Sequence, residues 1–262
     1  MTVKELYDHI EAVAPRALSA PWDNDGIACS ADLTAPVRRV LVALDATEAV
    51  VDKAVTERFD VLLTHHPLLF KGVKELTPTG TVPRKLLKLI RAGVTAISLH
   101  TRLDAAAGGV NDVLAEVLGL SDVEPFGPEG EQMGRIGRLA NPASAQEYAQ
   151  TVCEKLKIPA LLMAGDGAVS RVAVLGGEGG DFVAAAKAAG ADLFLSGRIG
   201  YHRMLDGAEE GLVLCEAGHF ATELPVCERL AALVREAEPK AEIEIYTTPA
   251  IRRVEKTKES RV

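Results

Sequence analysis

The sequence predicts an α/β fold of two lobes, each built on a mostly parallel sheet flanked by helices. Short apolar runs of strand length alternate with amphipathic runs of helical period, the signature of βαβ units. The strand-like runs are nearly continuous in apolar character, as strands covered on both faces must be. A stretch containing Pro and Gly, residues 125–137, separates two such series. A first lobe is therefore expected over residues 1–125 and a second over 126–262, with the C-terminal segment free to return to the first. A chain of 262 residues can bury a substantial core in either arrangement.

The elements follow in order. Thr2 and Glu5 have the spacing of a capping box, and Val3, Leu6, Ile10 and Val13 lie on one helical face before Pro15 stops the helix. Residues 20–26 hold the only tryptophan, Trp22, among turn formers, and composition reads them as an Asx-type turn with a packed indole. A strand is expected over 39–46, a helix over 47–59, a strand running into His65, a helix around 84–91 and a strand over 94–99. A loop ending in Gly108-Gly109 should then lead to a helix over 110–118. In the second series Ser144 and Glu147 cap a helix to Leu156. Strands are expected at 171–175, 192–195 and 212–215, with helices around 181–189 and 201–210. A long helix from about 222 to 237 and a strand at 241–246 close the chain.

Composition narrows the function classes. Hydrophobic residues make up 48% and charged residues 25%, and 29 basic against 37 acidic side chains give a net charge of −8. The only basic block is the tail around Arg252, Arg253, Lys256 and Lys258, so general nucleic-acid binding is disfavoured. No apolar run has the length of a membrane span and no signal-peptide pattern follows Met1, which points to the cytoplasm. Cys29, Cys153, Cys215 and Cys227 are scattered, without a C-x-x-C spacing, and read as free thiols.

The chemistry collects at strand ends, where open parallel sheets leave a crevice. One run ends in His65-His66-Pro67, the next gives His100 and then Asp104, and a third leads through Gly218 to His219 and Glu223. Consecutive strand residues face opposite ways, but Pro67 ends the strand and lets the two imidazoles splay toward one cavity, each addressing a different metal. Glu223, placed in the first turn of the last helix, can lean back toward His219. Imidazoles and carboxylates without thiolates suit zinc, manganese, iron, cobalt or nickel, and this set is enough for two divalent ions. Such a pair lowers the pKa of bound water, so hydrolysis is the natural reaction class. His100 and His202 are the candidates, by position, for general acid or base. Gly176-Gly177-Glu178-Gly179-Gly180 fails as a dinucleotide fingerprint and reads as a tight strand-to-helix turn.

These residues resemble the Nif-three-like proteins, often labelled GTP cyclohydrolase I type 2 homologues. The resemblance is carried by Trp22-Asp23-Asn24 with Gly26, Leu63-Thr64-His65-His66-Pro67, and His100-Thr101 with Leu103-Asp104-Ala105-Ala106. It continues through Gly109-Asn111-Asp112, Ser196-Gly197 with Tyr201-His202, and Gly218-His219 with Thr222-Glu223. It implies the Nif-three-like two-lobed fold, a di-metal centre at His65, His66, Asp104, His219 and Glu223, a homohexameric ring, and a Trp22-Asp23-Asn24 loop bordering the cavity. Arg102 and Arg198 depart from the family pattern and favour an anionic or phosphorylated substrate. The expectation is a metal-dependent hydrolase of a nucleotide or other small anionic molecule. The alternative is a non-catalytic metal-binding scaffold or metal-handling protein.

Overall fold

The computed structural model describes residues 1–252 and 254; Arg253, Lys256 and Lys258 of the basic tail lie outside the described residues. Helix α1 (Val3–Val13) opens behind the expected capping box. The Glu5 N–H donates to Thr2 Oγ1 at 3.2 Å and the Thr2 N–H donates back to Glu5 Oε2 at 2.8 Å. Strand β1 (Gly26–Cys29), β2 (Arg39–Ala43), α2 (Glu48–Thr56), β3 (Val61–Thr64), α3 (Thr81–Ala92) and β4 (Thr95–Ser98) follow, then α4 (Thr101–Ala105) and α5 (Val110–Leu118). The chain continues through β5 (Ser121–Phe126), β6 (Gly134–Ser144), α6 (Ala145–Leu156), β7 (Leu162–Ala164), β8 (Ala168–Glu178) and α7 (Val183–Ala188). It ends in β9 (Leu193–Arg198), α8 (Tyr201–Glu209), β10 (Val213–Glu216), α9 (His219–Glu223), α10 (Val226–Ala237) and β11 (Glu242–Tyr246).

Two sheets result. The first has the order β1-β4-β3-β2-β11 and is parallel except for β1 at its edge. Both of its faces are covered. Val40, Val42, Val61 and Leu63 meet α1 and α10, while Leu41, Ala43 and Leu62 on the opposite face meet α2 and α3. That alternation explains why β2 and β3 read as unbroken apolar runs. The second sheet, β5-β6-β8-β9-β10-β7, is parallel only through β8, β9 and β10. Helices α5 and α6 cover one face with Leu114, Leu118, Tyr148 and Val152, and Phe182 and Met204 join Phe194 and Leu214 on the other. Strand β11 returns to the first sheet, where Glu242 pairs with Arg39 at 2.9 Å.

Three local expectations are corrected. The stretch 125–137 is flanked by an antiparallel pair, β5 and β6, rather than being a simple interlude. Pro125 is tolerated because β5 is an edge strand whose missing N–H breaks no ladder. The loop after His100 contains the short helix α4. The last helix is divided, since Pro225 cannot donate to the preceding turn, and Glu223 therefore ends α9 instead of opening α10. All four cysteines are free thiols, and among the described residues no helix is long and apolar enough to cross a membrane.

Candidate metal centre

Strands β2, β3 and β4 end side by side, and the site is built from what they deliver. The His65 and His66 N–H groups donate to the Ala43 and Leu44 carbonyls at 3.3 and 2.9 Å, so the ladder runs past β3 and stops at Pro67. Each imidazole is then aimed by its Nδ1. His65 is fully buried and its Nδ1 donates to the Leu99 carbonyl at 2.8 Å. A carbonyl only accepts, so Nδ1 carries the proton and Nε2 presents a lone pair. His66 Nδ1 lies 2.8 Å from Asp45 Oδ1, which turns its Nε2 inward as well.

The second sheet supplies the opposing wall. Helix α9 follows β10 and places His219 and Glu223 one turn apart, with His219 Nε2 2.9 Å from Glu223 Oε2. The same oxygen is 3.1 Å from His66 Nε2, and Oε1 is 3.9 Å from His65 Nε2. Asp104, on α4, brings Oδ1 to 3.8 Å from His65 Nε2. Two overlapping sets can hold a cation: His65, His66 and His100, and His66, His219 and Glu223.

Electrostatics separates these groups. Burial drives the His65 pKa down to about 3, keeping it neutral. For His66 burial works in the same direction, but the Asp45 and Glu223 carboxylates outweigh it and raise the value to about 10. Burial, with the Glu223 charge beside it, pushes Asp104 up to about 7. Glu223 also loses hydration, yet its contacts with His219 and His66 hold it well below the usual carboxylate range, and the Glu223 contact raises His219. His65 Nε2 is buried without a hydrogen-bond partner, and Glu223 Oε2 sits at ion-pair distance from two imidazoles without hydrogen-bond alignment. A buried acceptor left unpaired costs roughly 1–3 kcal/mol. Imidazole and carboxylate donors around it, once His66 and His219 give up their protons, fit a divalent ion.

Close approach of the two sheets depends on glycine. Gly177 has φ +68°, and a Cβ there would collide with Glu223 Oε1; a Cβ on Gly197 would lie 2.7 Å from His219 Cα and Thr222 Oγ1. In the glycine run Gly176 and Gly177 end β8, bare where α9 must pass, and Gly179-Gly180 make the expected turn toward α7.

The structure brings together His65, His66, Asp104, His219 and Glu223. It also brings in His100, whose Nδ1 meets Asp23 Oδ1 at 3.0 Å and whose ring lies 5.3 Å from that of His65. His202 is a correction: it is exposed on α8 against Tyr201, and is not among the residues lining the cleft. Arg102 is another. It is wholly buried, its Nε and Nη2 donating to Asp25 Oδ2 and Oδ1 at 2.8 and 2.9 Å, so it cannot meet substrate. Arg198 is two-thirds exposed, 3.8 Å from Glu178, and does not line the cleft either. Asp45 was missed, although it ends β2 just as His65 and His66 end β3 and so obeys the same strand-end rule.

Beside the cluster lies a cleft of about 380 Å³, lined by Trp22, His100, Asp104, His219 and Glu223 together with Glu131, Glu178 and Phe182. Trp22 is 59% exposed, which overturns the packed-indole reading and agrees with a loop at the cavity's edge.

Comparison with known proteins gives a consistent picture. The family described as Duf34/NIF3 (NGG1p interacting factor 3) matches residues 1–253. A Clostridium perfringens protein named GTP cyclohydrolase 1 type 2 homolog is 33% identical over 243 residues, covering 90% of this chain and 92% of its own. A Schizosaccharomyces pombe protein named NIF3 homolog is 30% identical, covering 85% and 87%. Among solved structures, a Staphylococcus aureus hypothetical protein superposes with a TM-score of 0.87 at 26% identity, covering 97% of this chain and 99% of its own. Reduced HcgD from Methanocaldococcus jannaschii gives 0.80 at 30%, covering 94% and 97%.

Proposed function

The chain belongs to the Duf34/NIF3 family, and on that premise we propose that it is a metal-dependent hydrolase of a nucleotide or similar small anionic substrate. His65, His66, Asp104, His219 and Glu223 hold two divalent ions in this reading. The observation that carries it is the His65 Nε2 lone pair, buried, unpartnered and facing Asp104 and Glu223 at 3.8 and 3.9 Å. Divalent ions bound there lower the pKa of water and polarise the bond under attack.

The chain's own residues supply the rest. The Leu99 carbonyl and Asp45 fix which nitrogen of His65 and His66 faces inward. Glu223 leans one oxygen toward His65 and the other toward His66 and His219, so it could serve ions held by either group of imidazoles. Asp23 holds His100 by Nδ1 and leaves Nε2 to take or give a proton beside the cleft. No lysine or arginine lines the cleft among the described residues, so the anionic part of a substrate would rely on the imidazoles and on any ions they hold.

The test is metal analysis of zinc- or manganese-loaded protein together with turnover across a nucleotide and phosphoester panel. Retained metal and hydrolysis abolished by Asp104→Asn are expected. A protein that retains no metal after gel filtration would sink the proposal at its root. Metal retained with no turnover would leave the non-catalytic metal-handling reading. The homohexamer belongs to the same reading, and light scattering should give six times the 27.8 kDa chain mass.

A further inference from the structure

Trp22 is the chain's only tryptophan and stands 59% exposed, forgoing the large apolar burial that an indole usually gains. Its backbone is nonetheless fixed. The Asp23 N–H donates to the Ala20 carbonyl at 2.9 Å, the Ala20 N–H donates to Thr101 Oγ1 at 2.9 Å, and Asn24 Nδ2 donates to the Leu69 carbonyl at 2.5 Å. The indole is therefore presented at the cleft by a turn tied to both the His100 and the Leu69 segments.

Phe70, 44% exposed, stands edge-on to Trp22 with ring centroids 6.0 Å apart. Both rings lie close to the His100 imidazole, at 6.1 and 6.2 Å. The cleft is also lined by the carboxylates Glu131 and Glu178, and Arg198 stands 3.8 Å from Glu178, beyond hydrogen-bond reach. Asp181, a further lining residue, is engaged by Arg203 at 2.5 Å. Carboxylates accept hydrogen bonds, so a ligand reaching from Trp22 to Glu131 and Glu178 must bring N–H or O–H donors.

We propose that Trp22, flanked by Phe70, is the stacking wall for a planar, N–H-bearing heterocycle such as a nucleobase. Glu131 and Glu178 are its acceptors, and the anionic part of the same molecule reaches toward the histidines. This rests on the cleft being the substrate site of the hydrolase argued above. A bare sugar phosphate or acyl phosphate has no π-face for the indole. A free π-face is what makes stacking tolerant of ring identity, and the acidic wall adds selection for rings rich in donors.

Because Trp22 is the sole tryptophan, its emission reports binding without any need for turnover. Zinc-loaded full-length protein is titrated with guanosine, with ribose 5-phosphate, and with caffeine, a methylated purine that lacks N–H donors. Guanosine should quench saturably, ribose 5-phosphate should not, and caffeine should bind more weakly than guanosine. By calorimetry Trp22→Ala should weaken guanosine roughly ten-fold or more, while Trp22→Phe, which keeps a ring, retains most of the affinity. Unchanged metal content and melting temperature exclude misfolding of the variants. Guanosine that fails to quench up to millimolar concentration, or binds Trp22→Ala as tightly as the parent, overturns the inference even if hydrolysis is intact. Quenching through Trp22 in a protein that hydrolyses nothing supports the wall and removes only the hydrolase reading.

Discussion

Replacing Arg102 separates two roles that the sequence alone could not distinguish. Its guanidinium has no exposed surface, makes a bidentate pair with Asp25, reaches Glu11 through Nη1 and donates to the Ala14 carbonyl at 3.3 Å. Asp25 is itself only 4% exposed, and its Oδ2 also accepts the His100 N–H at 3.2 Å. Arg102→Met keeps much of the volume but strands the Asp25 carboxylate, and breaking a buried pair from one side costs about 3–5 kcal/mol. That is a large part of the roughly 5–15 kcal/mol that usually separates folded from unfolded chains. Urea denaturation of the metal-free protein should show this loss. Arg102→Lys should fall between, since it keeps the charge and loses the fork. Adding Asp25→Asn to Arg102→Met should restore part of the loss. A cost below about 1 kcal/mol would refute the reasoning. Loss of phosphate-ester binding in a fully stable Arg102→Met protein would return Arg102 to the substrate.

Other perturbations test the site piece by piece. Asp45→Ala frees the His66 ring from its Nδ1 partner and should weaken metal binding roughly 10–100-fold in a competition assay with a chelating dye, with little change in fold. Gly177→Ala combines a left-handed backbone with a collision at Glu223, so it should cost at least about 1–2 kcal/mol and lower metal content; wild-type metal content would contradict the packing argument. In the metal-free protein Asp104, raised to about 7, stabilises the fold fully below its ordinary value of 3.8, and this is lost as pH climbs through 7. Asp104→Asn should therefore flatten the decline in stability between its ordinary value of 3.8 and about pH 7. Metal uptake at pH 6 must expel protons from Asp104, His66 and His219, so calorimetry in buffers of different ionisation enthalpy should report release of about three protons per chain. Heats that do not depend on the buffer would contradict those protonation states.

What was readable in the sequence was local or periodic. Thr2 with Glu5 and Ser144 with Glu147 cap helices through bonds that close within four residues, so spacing suffices to find them. The runs into His65 and Leu99 could be recognised as strands because both faces are buried. The histidines at their ends follow from the geometry of a parallel sheet. What was unreadable depends on partners far along the chain. Arg102 reads as a surface cation until Asp25 and Glu11 are seen around it. Strand β6 is broken in pattern by Arg135, Arg138 and Pro142, and its pairing with β5 and β8 makes it a strand. Glu223 lies beside His66 and His219, but it ends α9 instead of opening the last helix, because Pro225 separates the two.

His65 and His66 show how adjacent, chemically identical groups become different through one second contact each. Both rings present Nε2 to the same carboxylate, and both are mostly or wholly buried. The partner of His65 Nδ1 is a backbone carbonyl, which is neutral, so nothing offsets the desolvation of an imidazolium and the ring stays unprotonated. The partner of His66 Nδ1 is Asp45, whose charge adds to that of Glu223 and overturns the same penalty. In the absence of metal, a proton on His66 balances the carboxylates while His65 keeps an open lone pair. A cation arriving at His65 displaces nothing from that ring, whereas one arriving at His66 must first remove its proton. The two rings beside Glu223 thus differ in proton cost even though they are chemically identical. The difference is set by Asp45 and Leu99, neither of which needs to touch the ion.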